Sequence, residues 1–360
     1  MKYLVCMGSG IGDVILTLPF LKTIRDNDGT AYITLFRCGT RKQLNEKKEL
    51  YKFQELADEV VSYAQSEMLY SLGVFLKLMK KGYDYGFVHQ YTDSPDTSAW
   101  PAFIVRYACK KTIGTIVPQN PRISFNIEVP RTERDSVTIS QLKLLEEIGY
   151  VSEKKYEGLL PDNKLEIVYR KLHIDEKISQ RKCIGLCVGT VPVVTRVRGK
   201  VVEKKIKNWP YEKWSKLADR LTTDGFLVVL FGSPTERDEI GQLDCFQQFT
   251  GMNLCGTMSI VQTMSVLKKM EIIVGADTGL MHCAAALKRK SLTLFGATDY
   301  KQYLPYGNKS YYIAAQKECA PCFGTAKAGV CERNECMNSI TVEKVYLKIL
   351  EILGNEDYTR

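Results

Sequence analysis

Polar residues that could bind a nucleotide follow an apolar run in the second half of the chain. The run Ile272–Val274 leads into Asp277 and Thr278, and Gly279 then opens an alanine-rich stretch that contains His282. This order predicts a strand, a tight turn and a helix whose first amides and positive dipole end attract an anion such as phosphate. Asp277 at the strand end can accept hydrogen bonds from a ribose. The stretch is therefore a candidate nucleotide site.

A glycine-rich turn near the start of the chain carries a second candidate acid. Residues Lys2–Met7 predict a strand, the turn Gly8–Asp13 follows, and the next residues have helical spacing. The glycines lack the spacing of the dinucleotide fingerprint, and no acid follows the second predicted strand, Ala31–Phe36, so a nicotinamide-dependent oxidoreductase is the weakest interpretation. Asp13 is either a first-turn acid favoured by the helix dipole or a base that faces a cleft.

Four cysteines lie close together in the last fifth of the chain. Cys319, Cys322, Cys331 and Cys336 have the spacing C-x2-C-x8-C-x4-C. Four thiolates in one loop can bind zinc tetrahedrally, and iron is a softer possibility, in either case as a structural metal. The alternative is that they are reduced packing cysteines. The chain has twelve cysteines in all, and the other eight are scattered among apolar residues, as in a reduced cytosolic protein.

Length and composition indicate a protein of two domains that is not embedded in a membrane. The chain has 360 residues, of which 45% are hydrophobic and 25% charged. No apolar run is long enough to cross a bilayer and no signal peptide is recognisable, so we expect a cytoplasmic protein. The net charge of +9 suits an anionic partner or an ordinary basic surface. Aromatic residues do not alternate with a basic stripe, so nucleic acid is not an expected partner.

Helical and strand patterns alternate through the chain, which predicts two doubly wound α/β domains separated by a crevice. We place the first domain at residues 1–178 and the second at 179–340, with the cysteine-rich loop at 319–336. A C-terminal helix at 341–354 completes the chain, because apolar residues recur at helical spacing there before Gly354.

Four motifs taken together resemble one enzyme family. They are G-D-V-I-L-T-L-P at Gly12–Pro19, K-N-W-P at Lys207–Pro210, the strand end at Gly232 followed by Glu236, and G-A-D-T-G-L-M-H at Gly275–His282. In order and spacing they are similar to glycosyltransferase family 9, the lipopolysaccharide heptosyltransferase family. The resemblance implies a GT-B fold, in which two Rossmann-like doubly wound domains face each other across a cleft. It also implies transfer of a heptose from an ADP-activated donor to a lipid-linked core sugar at the cytoplasmic face of the inner membrane.

On the acceptor side, the resemblance implies that Asp13 is the general base, with Gly10 and Gly12 shaping the turn around it. Such a base takes the proton of the acceptor hydroxyl as this hydroxyl attacks the anomeric carbon. The implied reaction is a single displacement with inversion, and it requires no metal. A first-turn acid without a catalytic role is the alternative for Asp13.

On the donor side, the resemblance implies that Lys207 offsets charge on the leaving diphosphate, that Glu236 holds the ribose and that Thr190 lies against phosphate. The remaining family positions of the nucleotide and phosphate site are Asp277, Thr278, Gly279, Leu280 and His282. Structural roles are possible for three of these side chains: a solvated lysine at 207, a helix acid at 236 and a hydrogen-bonded core histidine at 282.

Two basic segments leave the acceptor side open. Residues 190–207 contain six cations and one acid, so they form either a hairpin or flap over an anion or a solvated loop. The segments Lys42–Lys48 and Lys77–Lys81, with Tyr51, Tyr70 and Phe75, could meet a phosphorylated lipid surface or form a solvated basic face.

Rival functions also stay open at this point. A family member with another nucleotide sugar, or with a protein acceptor such as an autotransporter, is the alternative within the class. A non-catalytic nucleotide-sugar-binding scaffold is the alternative outside it.

Overall fold

A computed structural model describes residues 1–8, 10–39, 41–46, 49–50, 55–89, 95–116, 124–132, 135–152, 160, 162–174, 178, 180–197 and 200–354. The chain divides into two compact units, Met1–Leu159 and Leu160–Arg360. Each unit contains a six-stranded sheet whose strand pairs are all parallel. Lys47, Lys48, Tyr51 and Arg198, which belong to the predicted basic segments, lie outside the described residues.

The first unit has the strand order β3-β2-β1-β4-β5-β6. Its strands are β1 (Lys2–Met7), β2 (Tyr32–Cys38), β3 (Glu59–Tyr63), β4 (Tyr83–Val88), β5 (Cys109–Ile116) and β6 (Ile127–Pro130). Its helices are α1 (Ile11–Asn27), α2 (Arg41–Glu46), α3 (Met68–Lys81), α4 (Pro95–Ala108) and α5 (Val137–Glu146), with a 3₁₀ turn at Gln65–Glu67. The winding direction reverses between β1 and β4, which is where open α/β sheets bind ligands.

The second unit repeats this topology with the order β11-β10-β7-β12-β13-β14. Its sheet strands are β7 (Cys183–Cys187), β10 (Leu227–Phe231), β11 (Met252–Asn253), β12 (Ile272–Ala276), β13 (Lys290–Phe295) and β14 (Ser310–Ala314). A separate antiparallel hairpin consists of β8 (Val193–Val197) and β9 (Lys200–Lys204). The winding direction reverses between β7 and β12.

The helices of the second unit cover both faces of its sheet, as in other doubly wound folds. They are α6 (Asp162–Arg170), α7 (Tyr211–Thr223), α8 (Pro234–Gly241), α9 (Ile260–Leu267), α10 (Gly279–Ala286), α11 (Tyr300–Tyr303), α12 (Ala326–Val330), α13 (Glu335–Ser339) and α14 (Val342–Leu353), with a 3₁₀ turn at Asp244–Phe246.

Burial explains why the central strands of the second unit are so apolar. Every residue of β7, β10 and β12 is buried, because helices cover both faces of a parallel sheet. Helix α7 buries Trp214, Leu217, Ala218 and Leu221, which recur at helical spacing. The predicted α/β class with two doubly wound units is confirmed. Within the described residues, no helix combines the length and the apolarity that a bilayer crossing requires.

The boundary between the units lies earlier than the predicted 178/179 boundary. Helix α6 belongs to the second unit, where Glu166 forms an ion pair with Lys269 at 2.8 Å. Asp162 pairs with the neighbouring Lys268 at 2.9 Å, and Tyr169 lies under the Lys269 ammonium. These contacts hold α6 on the α9 side of the second unit, so a division at residue 178 would separate α6 from the unit on which it packs.

Candidate nucleotide site

The turn between β12 and α10 places a carboxylate in front of a helix N-terminus. Asp277 follows β12 directly, and Thr278 is the N-cap residue of α10 with extended backbone angles. The Thr278 hydroxyl does not cap the helix, which leaves it available to a ligand. The first amides of a helix have no acceptor within the helix. Because this turn lies beside the winding reversal, the local geometry is that of an anion site in an open α/β sheet.

A lysine from seventy residues upstream pairs with this carboxylate. The Lys207 Nζ lies 3.3 Å from the Asp277 Oδ2, and the two side chains are only 16% and 10% exposed. The Lys207 ammonium also lies 5.8 Å from the centre of the Phe323 ring. A largely desolvated cation held by one carboxylate and one aromatic face is positioned for an anionic ligand, because low exposure strengthens its attraction for phosphate.

His282 completes the cluster from the first turn of α10. Its Nε2 lies 3.9 Å from the Asp277 Oδ1. Burial lowers the pKa of His282 to about 4, and this effect outweighs the opposite influence of Asp277, while Lys207 lowers the pKa further. The imidazole is therefore neutral at pH 7. Its other ring nitrogen, Nδ1, is buried and has no hydrogen-bond partner among the described residues.

Thr190 and Glu236 lie at the ends of neighbouring strands, and both make structural contacts. The Thr190 hydroxyl donates to Asn208 Oδ1, which ties the end of β7 to the residue after Lys207. Glu236 accepts from the backbone amide of Ser233 at 2.8 Å and so caps α8. A Cβ at Gly189 would lie 2.2 Å from the Glu236 Cγ. Glycine at 189 therefore permits the glutamate to cross the end of β7.

The acid of the first unit has a defined structural contact. The Asp13 Oδ2 accepts from the Gly10 amide at 2.7 Å, across the first turn of α1. A Cβ at Gly8 would lie 2.4 Å from the Asp13 Cγ, so the turn closes tightly around the carboxylate. Gly12 lies within the first turn of α1 beside Asp13. The first-turn role considered from the sequence is thus real, and the role of Asp13 as a base stays a prediction.

The four clustered cysteines do not form a metal site in this structure. All four lie within the described residues, and no three His, Cys, Asp or Glu side chains there could hold a metal ion. Cys322 packs in a small apolar cluster with Val193, whereas Cys336 belongs to the main core of the second unit. Burial raises the pKa of the Cys322 thiol to about 11. The alternative of reduced packing cysteines fits these contacts, and the predicted structural zinc or iron has no support.

The basic segment before Lys207 is a hairpin fastened to the cysteine-rich loop. Lys204 Nζ donates to the Cys331 carbonyl at 2.6 Å, and Asn334 Nδ2 donates to the Asn208 carbonyl at 2.8 Å. Lys205 pairs with Glu239 on α8. Residues 193–204 thus contain the hairpin, and its placement over an anion stays a prediction. The loop supports the chain on both sides of Lys207, a role that its cysteine spacing does not indicate.

Asn208 and Phe323, which contact Thr190 and Lys207, are absent from the sequence prediction, and so is Thr298 after the neighbouring strand β13. Thr298 is buried three residues after β13, and its hydroxyl has no hydrogen-bond partner among the described residues. Its position after the apolar run Leu292–Phe295 is the signal that could have identified it, since polar residues after parallel strands line the ligand crevice. No sequence signal connects Phe323 to Lys207, because their contact depends on how the loop folds.

Comparison with known proteins agrees with this geometry. Residues 176–330 match the family model "Glycosyltransferase family 9 (heptosyltransferase)". Lipopolysaccharide heptosyltransferase 2 of Salmonella typhimurium is 31% identical over 139 residues, which are 38% of this chain and 37% of the relative. Lipopolysaccharide heptosyltransferase 1 of Pseudomonas aeruginosa is 34% identical over 117 residues, 32% of each chain. The aligned part thus spans only 37% and 32% of the length of these two relatives.

Solved structures extend the similarity to the whole fold. The E. coli ADP-heptose lipopolysaccharide heptosyltransferase II superposes with a TM-score of 0.71 at 20% identity, covering 99% of this chain and 100% of its own. An E. coli heptosyltransferase solved with ADP gives 0.70 at 19% identity, covering 98% and 100%. At this identity the similarity concerns the fold, and it confirms the predicted GT-B class. Residues 176–330 of the chain are thus similar to glycosyltransferase family 9, the heptosyltransferase family.

Proposed function

We propose that this protein is an inverting glycosyltransferase that moves a heptose from an ADP-activated donor to a lipopolysaccharide core or a related surface glycan. The match of residues 176–330 to the family model supports the reaction class, and the similar structure solved with ADP supports the nucleotide. The observation that carries the proposal is the desolvated pair of Lys207 and Asp277 in front of α10. A cation and a helix N-terminus at one point suit a diphosphate.

In this proposal the second unit binds the donor through three kinds of contact. The α10 amides at Gly279 and Leu280 and the Lys207 ammonium attract the diphosphate. Asp277 accepts from sugar or ribose hydroxyls while it orients Lys207. Thr278 and His282 add polar atoms at the same turn, and Thr190 and Glu236 contribute from neighbouring strand ends. Because Asp277 neutralises much of the Lys207 charge, the pair favours a ligand that brings both hydroxyls and phosphate.

The transfer step needs a base and a stabilised leaving group. The acceptor hydroxyl oxygen attacks the anomeric carbon, the bond from that carbon to the phosphate oxygen breaks, and ADP leaves with the electron pair. Asp13 takes the hydroxyl proton, for which its carboxylate is suited once the acceptor is within hydrogen-bond reach. Lys207 and the α10 dipole offset the charge that develops on the diphosphate. Attack from the side opposite the leaving group inverts the anomeric carbon.

The acceptor in this proposal is a lipid-linked saccharide at the inner membrane surface, which the protein meets as a peripheral protein from the cytoplasm. The acceptors of the heptosyltransferases it matches support this part of the proposal. A different nucleotide sugar, or a protein acceptor, would leave the same donor geometry in place.

The proposal is tested by measuring acceptor-dependent release of nucleotide from ADP-heptose, ADP-glucose, UDP-glucose and GDP-mannose with a water-soluble core oligosaccharide. We expect turnover with ADP-heptose that falls about a hundredfold or more in Lys207→Ala. Lys205→Ala is the matched control, because Lys205 lies two residues away and pairs with Glu239 instead. Release from a UDP- or GDP-sugar alone would change the donor, and nucleotide binding without any release would favour the scaffold function.

A further inference from the structure

Helix α3 of the first unit has two apolar faces, and only one of them is covered. Ser71, Val74 and Leu78 are buried against the sheet. The other face carries large apolar side chains that are 41–84% exposed, namely Met68, Leu69, Leu72, Leu76 and Met79. At about 100° per residue these five positions fall within an arc of about 100°. The exposed residues therefore form a continuous stripe along the helix.

The stripe continues onto the neighbouring helix α4. Phe103 and Tyr107 are 43% and 56% exposed, and they stand one helical turn apart with ring centres separated by 4.5 Å. Phe75 of α3 links the helices, because its ring lies 6.5 Å from Phe103. We call these five α3 residues with Phe103 and Tyr107 the α3/α4 surface. It holds seven of the fourteen large apolar side chains that are exposed in the described part of the chain, and such concentration marks an interaction site.

An apolar groove opens within this surface. It has a volume of about 320 Å³ and is lined by Tyr63, Met68, Ser71, Leu72, Phe75, Phe103 and Ile104. The Ser71 hydroxyl is already bonded to the backbone of Ala64, to which it donates at 2.9 Å. The groove therefore favours an apolar occupant such as a segment of an acyl chain.

Positive charge borders the surface at the end of α3 and on α4. Lys77, Lys80 and Lys81 occupy the last turns of α3, which contains no acidic residue. Glu59 pairs with both Lys77 and Lys81, so one carboxylate meets two of these lysines. Arg106 is an exposed residue of α4 that precedes Tyr107 in sequence, and its guanidinium donates to the Ser124 carbonyl at 3.0 Å. An apolar stripe with basic residues along its edge is the pattern of a helix that lies in the interface of an anionic bilayer.

We propose that the α3/α4 surface docks the protein onto a bilayer that contains anionic lipids, with the apolar stripe among the acyl chains and the lysines at the headgroups. A second copy of the chain is the competing occupant. A two-fold contact would place two copies of this basic-bordered surface against each other, and Glu67, directly before Met68, is the one acid that adjoins the α3 stripe in sequence. Charge complementarity therefore favours the bilayer. The inference rests on the proposed function for its biological setting, and on the surface alone for its physical argument.

Vesicle sedimentation tests this proposal without a sugar donor. The full chain is mixed with vesicles of phosphatidylglycerol and phosphatidylethanolamine, or of phosphatidylcholine alone. We expect binding to the anionic vesicles, at least about fiftyfold weaker in Leu72→Ser/Leu76→Ser and about fivefold weaker in Lys80→Gln. Val151→Ser is the matched control, because Val151 is a 76% exposed apolar residue of the first unit outside the surface and its loss should leave binding unchanged.

The results separate this proposal from its competitors. No binding of the wild-type chain to anionic vesicles, or equal binding by the double variant, would overturn it. Self-association in sedimentation velocity that the double variant abolishes, without vesicle binding, would assign the surface to a second copy. The double variant should keep its turnover on a water-soluble oligosaccharide, so failure of vesicle binding and failure of the transfer reaction are read in different assays.

Discussion

The two turns that carry acids, β1–α1 in the first unit and β12–α10 in the second, use a carboxylate in opposite ways. Asp13 stands inside the first helical turn and bonds back to the Gly10 amide at 2.7 Å. Asp277 stands before its helix and pairs with Lys207 at 3.3 Å. The first acid thus occupies the end of its own helix, whereas the second leaves the helix N-terminus to a ligand and brings a cation beside it. An acid at a winding reversal is therefore not sufficient to make an anion site.

The largest expected effect follows from replacing the first acid. Asp13→Asn keeps an oxygen that can accept from the Gly10 amide, so the turn should survive while the base is lost. We expect turnover to fall by about 10²–10⁴-fold with unchanged donor affinity, since that is the range for a removed general base. Single-turnover kinetics and nucleotide titration measure the two quantities. Unchanged turnover would mean that Asp13 has only a structural role in its turn and is not the base.

Protonation of His282, which lies beside Asp277, is expected to change the free energy of unfolding of the second unit by about 3 kcal/mol between pH 6.5 and pH 4. Burial lowers the pKa of His282 to about 4, so between pH 6.5 and pH 4 the unfolded chain binds a proton that the folded chain does not. The free energy of unfolding of the second unit should therefore fall as pH decreases through this range, by about 1.4 kcal/mol per pH unit. Above pH 6.5 the contribution of His282 to the free energy of unfolding does not depend on pH.

Urea unfolding followed by tryptophan fluorescence measures this effect. Trp209 and Trp214 are both buried in the second unit with ring centres 4.7 Å apart, and a Trp100→Phe background removes the third tryptophan. In His282→Gln the loss of stability between pH 7 and pH 4 should shrink by about 3 kcal/mol. The first unit provides a comparison, because burial also lowers the pKa of His89 to about 3. An identical pH slope in the variant would contradict the buried neutral state of His282.

The smallest effects come from glycines that each turn needs for close approach. An alanine methyl at Gly8 would lie 2.4 Å from the Asp13 carboxyl carbon, and one at Gly189 would lie 2.2 Å from the Glu236 Cγ. We expect each substitution to cost about 1–2 kcal/mol in thermal unfolding. Gly8→Ala should also reduce turnover, and Gly189→Ala should also weaken nucleotide binding. Gly241→Ala is the control, since a Cβ there meets nothing within 4 Å.

The sequence predicts the fold better than it predicts which side chains meet. The largely apolar sequences of β12 and β13 identify buried parallel strands, because covering both faces of a sheet disfavours polar residues, of which β13 contains Ser291 and Thr293. The unit boundary is wrong in the prediction, because nothing in the α6 sequence shows which sheet it packs on. The pairing of Lys207 with Asp277 spans seventy residues. The family resemblance places both residues in the donor site, but it does not predict that they pair with each other.

The cysteine-rich loop is a second case in which the sequence does not predict which side chains meet. Its spacing suits four thiolates around a metal, but spacing does not determine where each side chain points. Cys322 and Cys336 pack in different apolar clusters, and the loop instead supports Lys207 through Phe323. Contacts between distant segments depend on tertiary packing, which a single sequence does not reveal.

Calorimetric titration with ADP, UDP, GDP and NAD tests the central claim most directly, namely that the β12–α10 turn and Lys207 form the site of an ADP-activated donor. We predict selective binding of ADP, with the affinity about tenfold or more lower in Asp277→Ala and unchanged in Glu343→Ala, a control whose carboxylate is exposed on α14 and pairs with Arg220. Binding of ADP with the same affinity in Asp277→Ala, or preferential binding of UDP, GDP or NAD, would contradict the account.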